Sequence, residues 1–156
     1  MTNHQKRIII CGSMSFYNIM CQIGELLSSK NIPVILPEDD NNIANMNITP
    51  KLFEEYKRKV SFRYLEKIRD PRTWSILVVN PEKHNIKNYI GANSFAEIAV
   101  AFARRKKIFI LYDYPTFYEE ELISWRVTAL RGNIDLLVES YKKACIKKQP
   151  QQLPLF

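Results

Sequence analysis

Apolar residues recur along the chain in two different patterns. Short continuous runs rich in isoleucine, valine and leucine alternate with longer stretches in which apolar residues return every three or four positions. The runs predict buried β-strands, and the stretches predict amphipathic helices. Because the runs do not alternate apolar with polar positions, they are typical of strands covered on both faces. The predicted strands cover residues 7–11, 32–36, 74–79 and 108–111, with a shorter one at 126–130.

Local signals for helix starts and ends predict that helices lie between these strands. Gly12 ends the first run and a helix follows it. Thr49, followed by proline, has the form of an N-cap, and the helix it opens ends at Asp70. Ser94 and Glu97 have the spacing of a capping box, which predicts a helix with Glu97 in its first turn. Further helices are predicted over residues 116–125 and 135–148.

Strands that alternate with helices in this way favour one architecture. We predict an α/β fold of the flavodoxin-like or Rossmann-like type, with a three-layer, doubly wound sheet of about five parallel strands. It occupies residues 1–148, and residues 149–156 form a separate tail with a polar, proline-containing start. Ligands of such sheets bind beyond the carboxyl ends of the strands, where the loop 80–93 would lie.

Size and cysteine content narrow the functional classes. The 156 residues are 46% hydrophobic, which is enough for one core, and no apolar run approaches the roughly 20 residues that cross a bilayer. We therefore expect a soluble, cytoplasmic protein. The three cysteines are widely spaced, so we expect reduced, buried thiols rather than a disulfide framework or a zinc site. We predict no metal and no cofactor.

The net charge of +7 has two interpretations. An excess of cations favours phosphorylated ligands or nucleic acid. Many of these cations, however, fall on predicted helices, as at residues 57–59 and 142–148, where they are typical of solvated faces. We prefer the solvated faces, because nucleic-acid binding would be inferred from charge alone.

Two of the four glycines mark places where the backbone can come close to a ligand. Gly12 ends the first strand, and Gly91 precedes the helix after the third strand. If the first and third strands are neighbours, the turn at Gly12 and the loop 80–93 face each other, and a small anion can bind between them. Ser13 has the alternative of a simple N-cap.

Three short motifs together resemble a known family. They are Ile9-Ile-Cys-Gly-Ser13, Glu38-Asp-Asp40 and Gly91-Ala-Asn-Ser-Phe-Ala-Glu97. Their order is similar to that of the nucleoside 2-deoxyribosyltransferase-like superfamily, which includes deoxyribosyltransferases and 2'-deoxynucleoside 5'-phosphate N-hydrolases. The resemblance covers roughly residues 7–133 in element order. It implies cleavage or transfer of an N-glycosidic bond, with Glu97 as the nucleophile that attacks C1' of a 2-deoxyribosyl group.

Glu97 has a competing interpretation. As the last residue of a capping box it would satisfy a backbone N–H and would need no substrate. The resemblance implies instead a carboxylate that the nearby helix N-terminus keeps ionised, and a covalent glycosyl-enzyme that water or another base resolves. A non-catalytic nucleotide-binding protein of the same fold is the alternative function.

The substrate-binding residues that we predict come from the first turn, the acidic motif and the loop 80–93. The acidic motif is also typical of an ordinary solvated turn. The aspartate that the family carries before the third strand is missing from residues 63–69, and only Tyr17 or Tyr89 approximates its glutamate-orienting tyrosine. Leaving-group activation therefore has no assigned residue, and the resemblance implies a homodimer. The predicted set is Gly12, Ser13, Asp39, Asn80, Tyr89, Gly91, Asn93 and Ser94.

The end of the chain carries a separate signal. A glutamine followed by Leu-x-Leu-Phe resembles the bacterial sliding-clamp-binding motif, which docks as an extended peptide into an apolar groove. This resemblance implies the DNA polymerase sliding clamp as a partner. The alternative is that the apolar side chains fold back and cover a patch on the domain. The residues concerned are Gln152, Leu153, Leu155 and Phe156.

The clamp interaction can be tested with the tail alone. We expect a peptide of residues 147–156 to bind a bacterial sliding clamp in a calorimetric titration, because its apolar anchors lose little ordering entropy on docking. The matched peptide with Phe156→Ala should release no heat. Equal heats from the two peptides would reject the clamp as the partner of this motif.

Overall fold

The computed structural model describes residues 6–39 and 46–146 of the chain. Its strands are β1 (Arg7–Gly12), β2 (Val34–Ile35), β3 (Thr73–Val79), β4 (Lys107–Ile110) and β5 (Thr128–Ala129). Its helices are α1 (Tyr17–Ser29), α2 (Pro50–Arg69), α3 (Ala92–Ala103), α4 (Glu119–Ser124) and α5 (Ile134–Ile146). Short 3-10 turns at Met14–Phe16 and Thr116–Tyr118 precede α1 and α4.

The five strands form one parallel sheet in the order β2-β1-β3-β4-β5. This is the flavodoxin-like order, and the predicted three-layer α/β fold is confirmed. The predicted positions of the strands are confirmed as well, although β2 and β5 are shorter than their apolar runs. Each of these edge strands pairs with a neighbour on one side only, and only two residues of each take part in the ladder.

Alternate side chains of the strands enter two cores, one on each face of the sheet. Ile8 and Ile10 of β1 pack on the face covered by α1 and α5. Ile9 and Cys11 point to the opposite face, which α2, α3 and α4 cover. All four side chains are fully buried. The period of two along a strand, combined with helices on both faces, explains why the strands are apolar at every position.

The start of α2 follows its sequence signal. The Thr49 side chain accepts a hydrogen bond from the backbone N–H of Leu52, and Pro50 occupies the first helical position. Proline is favoured there because its missing N–H would have no partner in the helix. The helix ends at Arg69, next to Asp70, as predicted.

The start of α3 corrects a prediction. The helix begins at Ala92 with Gly91 as its N-cap, no side chain caps it, and its first turn holds no acidic residue. The capping box and the first-turn position of Glu97 were therefore wrong. The extended backbone of Gly91 ends the loop earlier than Ser94 would, so Ser94 is buried inside the helix and Glu97 lies in the second turn.

The cysteines correct a second expectation. All three thiols are free, but only Cys11 is buried, whereas Cys21 is half-buried and Cys145 is exposed. Cys145 lies near the end of α5, on its solvent side. Within the described residues, no helix is long and apolar enough to cross a membrane. The tail motif lies outside the described residues.

Gly12 is required by the close packing of β1 on β3. Its φ is +155°, and a Cβ atom there would lie 2.9 Å from the carbonyl oxygen of Val79. We expect Gly12→Ala to lower the free energy of unfolding by about 2 kcal/mol, because both the backbone conformation and the space are unfavourable. Urea denaturation measures this change.

Gly24 provides the matched control. It lies inside α1, and its added Cβ would meet Leu36 at 3.5 Å, an ordinary contact distance. Gly24→Ala should therefore change stability by no more than about 1 kcal/mol, in the stabilising direction, since alanine favours helix. Similar losses in the two variants would contradict the close-packing argument for Gly12.

Candidate active site

A cavity of about 320 Å³ opens beyond the carboxyl end of β1, between α2 and α3. Two βα segments supply its base, namely the turn after β1 and the segment after β2. The long helix α2 supplies most of its wall. The lining residues are Gly12, Met14, Pro37, Glu38, Phe53, Tyr56, Lys57, Val60, Ser61, Tyr64, Leu65, Asn93, Ala96 and Glu97. The position agrees with the rule that ligands of open α/β sheets bind outside the carboxyl ends of the strands.

Glu97 is the unusual group of this cavity. Its Oε2 atom is buried and has no hydrogen-bond partner among the described residues. Burial raises the pKa of its carboxyl group to about 7, and hydrogen bonding with the Cys11 thiol offsets part of this rise. The carboxyl group thus caps no helix. It is also not held fully ionised, contrary to the expectation from the helix N-terminus.

A buried carboxylate oxygen without a partner is costly, because it loses water and gains no hydrogen bond in exchange. Such groups are rare in folded proteins, and a carboxyl group with a pKa near neutrality beside a cavity is typical of a functional site. Of the two interpretations of Glu97, the backbone cap is excluded by this geometry. The carboxyl group borders the cavity together with Gly12, as a nucleophile would require.

Two neutral groups accompany Glu97. Burial, together with the charge of Glu97, raises the pKa of the Cys11 thiol well above its usual value. Burial also raises the pKa of Tyr64, with smaller effects from Cys11 and Glu97. The Tyr64 hydroxyl donates a hydrogen bond to the carbonyl oxygen of Ile10, so it is fixed in place. Both groups stay protonated at neutral pH, and neither supplies a positive charge to hold Glu97 ionised.

Tyr64 occupies the neighbourhood that the sequence offered to Tyr17 or Tyr89. Tyr17 instead hydrogen-bonds with Cys21, an interaction that raises its pKa. Tyr89 lies in the loop after β3, where its ring is 5.2 Å from the Lys83 ammonium nitrogen. Tyr64 could be seen in the sequence only as one member of the apolar face of α2, because its closeness to Glu97 depends on how α2 packs against α3.

The turn after β1 and the loop after β3 face each other, as predicted. The Lys83 ammonium group donates a hydrogen bond of 2.7 Å to the hydroxyl of Ser13, whose oxygen also lies 3.0 Å from that of Ser15. Lys83 has no carboxylate partner in the described part of the chain. The hydroxyls and the ammonium group therefore form a small cationic rim next to Gly12, which suits an anion.

Some predicted binding residues reach the cavity or its rim. Gly12 and Asn93 line the cavity. Ser13 lies on the rim through its bond to Lys83. Tyr89 is beside Gly91, where an added Cβ would lie 3.2 Å from the tyrosine hydroxyl. Because φ at Gly91 is −79°, its backbone is ordinary, and the glycine is not required there in the way that Gly12 is.

Other predicted binding residues have different surroundings. Asn80 is fully buried, and its side chain donates to the Asp113 carbonyl oxygen and accepts from the Tyr112 N–H, both at 2.9 Å. It thus joins the end of β3 to the segment after β4. Ser94 is buried within α3. We find no place for either side chain on the described cavity wall.

The acidic motif contributes through its first residue. Glu38 lines the cavity and forms a bidentate ion pair with Arg63, with N–O distances of 2.9 and 3.2 Å. Asp39 is exposed and lies outside the set of lining residues. Asp40 falls outside the described residues. The ion pair connects the segment after β2 to α2.

The contribution of α2 was missing from the sequence analysis. The helix has 20 residues and is about 30 Å long, whereas the six residues of β1 span only about 20 Å. Its second half packs on the sheet through Tyr64 and Ile68. Its first half extends past the strand ends and presents Phe53 and Tyr56 to the cavity. A helical pattern identifies the apolar face but not how far that face overhangs the sheet.

No protein-family model matches the chain, and no curated protein matches it by sequence. The assignment of a function therefore depends on the chemistry of the cavity and of Glu97.

The raised pKa of Glu97 predicts a pH-dependent stability. Because the folded-state pKa of about 7 exceeds the usual 4.5, the folded state binds the proton more tightly than the unfolded chain does. Its stabilising contribution is complete below the unfolded pKa and is lost as the pH rises through about 7. We expect the free energy of unfolding to fall by up to about 3 kcal/mol between pH of about 5 and about 8.

Glu97→Gln should remove most of this fall, since glutamine has the same shape and cannot ionise. Urea denaturation at a series of pH values measures it for both proteins. Glu54→Gln, at an exposed position of α2, is the control and should keep the wild-type dependence. An unchanged pH dependence in Glu97→Gln would show that another group is responsible.

Proposed function

We propose that the protein cleaves or transfers the N-glycosidic bond of a 2'-deoxynucleoside or its 5'-monophosphate, with Glu97 as the nucleophile. The observation that carries this proposal is the buried, unpartnered carboxylate oxygen of Glu97 on the wall of a cavity that it shares with Gly12. The motif resemblance to the nucleoside 2-deoxyribosyltransferase-like superfamily supports the same role for this residue.

The reaction has two steps. The ionised Glu97 attacks C1' of the deoxyribosyl group while the bond from C1' to the base nitrogen breaks, and an ester between the carboxylate and C1' results. The base leaves with the bonding electron pair and takes up a proton. Water, or a second base, then attacks C1' from the face opposite the ester and loses a proton to solvent. The bond between C1' and the carboxylate breaks, Glu97 is regenerated, and the configuration at C1' is retained overall.

Burial of Glu97 favours this chemistry. The transition state carries positive charge on the sugar, and a carboxylate in surroundings that exclude water stabilises that charge more strongly than one in bulk solvent. A carboxyl group with a pKa of about 7 is also ionised in a large fraction of molecules at neutral pH. The same burial that destabilises the free carboxylate thus becomes favourable when the sugar develops charge.

The other cavity residues suit the remaining parts of the substrate. The volume of about 320 Å³ is at the small end of ligand pockets and suits a single nucleoside. The aromatic rings of Phe53 and Tyr56 can stack on the base, and Asn93 can hydrogen-bond the sugar or the base. Lys57 lines the cavity and can donate the proton to the departing base, whereas Tyr64 donates its own to Ile10.

The cationic rim bears on the choice between nucleoside and monophosphate. Lys83, Ser13 and Ser15 lie together next to Gly12. An ammonium group and two hydroxyls are suitable donors for a phosphate whose sugar occupies the adjacent cavity. We therefore place the 5'-monophosphate ahead of the free nucleoside as substrate.

One observation favours a second function, a non-catalytic nucleotide-binding protein attached to the sliding clamp by its tail. The other carboxylate among the described lining residues, Glu38, contacts Arg63 through both of its oxygens. These contacts make it a poor partner for a leaving base. This alternative keeps the cavity and the nucleotide but has no chemical step.

The two functions differ in the release of free base. We expect base to appear when the protein is incubated with the deoxynucleoside 5'-monophosphates and separated by chromatography. Glu97→Gln should lower the rate by at least about 10³-fold, because it removes the nucleophile and keeps the shape. The rate at low substrate should rise with pH up to about 7 and then level off, as Glu97 ionises.

Glu54→Gln again serves as the control and should keep full activity. Equal base release by Glu97→Gln and the wild type would reject Glu97 as the nucleophile. Binding of a monophosphate in calorimetry without any release of base would favour the non-catalytic alternative.

A further inference from the structure

A second concave surface lies at the opposite end of the molecule, at the amino ends of the strands. It is a groove of about 460 Å³ between the start of β1, the connection from α2 to β3 and the connection from α3 to β4. We call it the basic groove. Its charged and aromatic lining residues are Lys6, Arg72, Trp74, Arg104, Arg105 and Lys106.

Three of its five cations are engaged within the protein. Arg72 forms a bidentate pair with Asp70, with N–O distances of 2.8 and 3.0 Å. The Lys106 ammonium group donates to the carbonyl oxygens of Asp70 and Thr73, at 2.9 and 2.8 Å. Lys6 donates to the carbonyl oxygen of Ala144 at 3.2 Å. These contacts hold the ends of helices and strands together.

Arg104 and Arg105 are different. Both side chains are exposed, and neither has a carboxylate partner in the described part of the chain. The acidic residues of the neighbouring connection do not neutralise them, because Asp70 is paired with Arg72 and Glu66 with Arg69. Two guanidinium groups therefore remain available in the groove, next to cations that are already in excess.

More cations lie beyond the groove, at the same amino ends of the strands. Lys107 at the start of β4 and Arg126 before β5 are both exposed. Because β4 and β5 are neighbours in the sheet, the connections that precede them lie side by side. The cations thus form a track along the amino ends of the neighbouring strands β3, β4 and β5 rather than one cluster.

Trp74 adds an aromatic surface to this track. Its ring packs against Phe109 and Tyr141, with centroid distances of 5.8 and 5.4 Å, and is therefore held in a fixed orientation. The residue remains partly exposed and lines the groove. A fixed aromatic ring beside unpaired guanidinium groups is the combination with which proteins bind single-stranded nucleic acid, through base stacking and phosphate contacts.

We propose that the basic groove binds single-stranded nucleic acid, with Arg104 and Arg105 on the phosphodiester backbone and Trp74 stacked on a base. A concave surface with an aromatic ring inside it suits an unpaired strand better than a duplex, whose bases are already stacked on each other. Guanidinium groups bind phosphate oxygens in bidentate geometry. This site is separate from the cavity at Glu97 and does not depend on the function proposed there.

The experiment is a titration of a fluorescein-labelled oligothymidylate with the full chain, followed by fluorescence anisotropy at several salt concentrations. We expect the double variant Arg104→Ala/Arg105→Ala to bind about tenfold more weakly at low salt. The slope of log affinity against log salt should become shallower by about 1.4, since two phosphate contacts of a single strand are lost.

The matched control is Arg58→Ala/Lys59→Ala, which removes the same two charges from an exposed part of α2 outside both concave surfaces. It should bind within about twofold of the wild type, with an unchanged slope. Equal losses in the two double variants would show that net charge alone attracts the strand, and would overturn the proposal. Unchanged binding by Arg104→Ala/Arg105→Ala would overturn it as well.

The role of Trp74 has its own measurement. The chain has two tryptophans, so Trp125→Phe leaves Trp74 as the only indole. Its fluorescence should be quenched when the oligonucleotide binds, because a stacked base lies on the ring. Binding without any change in this fluorescence would remove Trp74 from the site. Displacement of the oligonucleotide by polyglutamate at equal charge concentration would reject nucleic acid in favour of an acidic protein partner.

Discussion

The pairing of β1 with β3 is the constraint on which both concave surfaces depend. All six residues of β1 align with partners from Thr73 to Val79, and the last pair joins Gly12 to Val79. This alignment places the turn after β1 and the loop after β3 side by side at the carboxyl ends of the strands. It also places the start of β1 beside the connection that enters β3. The cavity at Glu97 and the basic groove thus lie at opposite ends of the same pair of strands, β1 and β3.

Electrostatics differ between these two ends for a general reason. In a parallel sheet with helical crossovers, helix N-termini lie at the carboxyl ends of the strands and helix C-termini at their amino ends. Helix C-termini favour cations, and Lys6 and Lys106 meet this need by donating to backbone carbonyl oxygens. The side chains of Arg104 and Arg105 make no such hydrogen bond and no ion pair among the described contacts. For this reason we assign them to ligand binding rather than to the stability of the fold.

The surroundings of Glu97 are unfavourable for its carboxylate. Its carboxyl group would be more stable if it had a hydrogen-bond partner or if water reached it, yet the packing of α2 against α3 denies its Oε2 both. The neighbouring Cys11 and Tyr64 are neutral and so compensate little of this cost. Under the proposed function, a carboxylate in such surroundings would be stabilised by the positive charge that the sugar develops only during the reaction.

The sequence by itself determined the element order, the parallel sheet and the end of the sheet at which the cavity beside Glu97 lies. These follow from local periodicity, from start signals such as Thr49 and from the general topology of alternating strands and helices. It also singled out Glu97 as a candidate site residue. The helix start that accompanied this prediction, with Ser94 as the cap, was wrong by almost a full turn, because Gly91 is the N-cap. Only the tertiary structure decided that Glu97 borders a cavity and that Tyr64 is its neighbour. It also decided that the Asn80 side chain hydrogen-bonds backbone groups after β4 instead of lining the cavity. The basic groove likewise brings together residues far apart in the chain. Hydrophobic periodicity specifies which face of an element is buried, whereas a site depends on how far each element extends past its neighbours, and that is settled only when the elements pack.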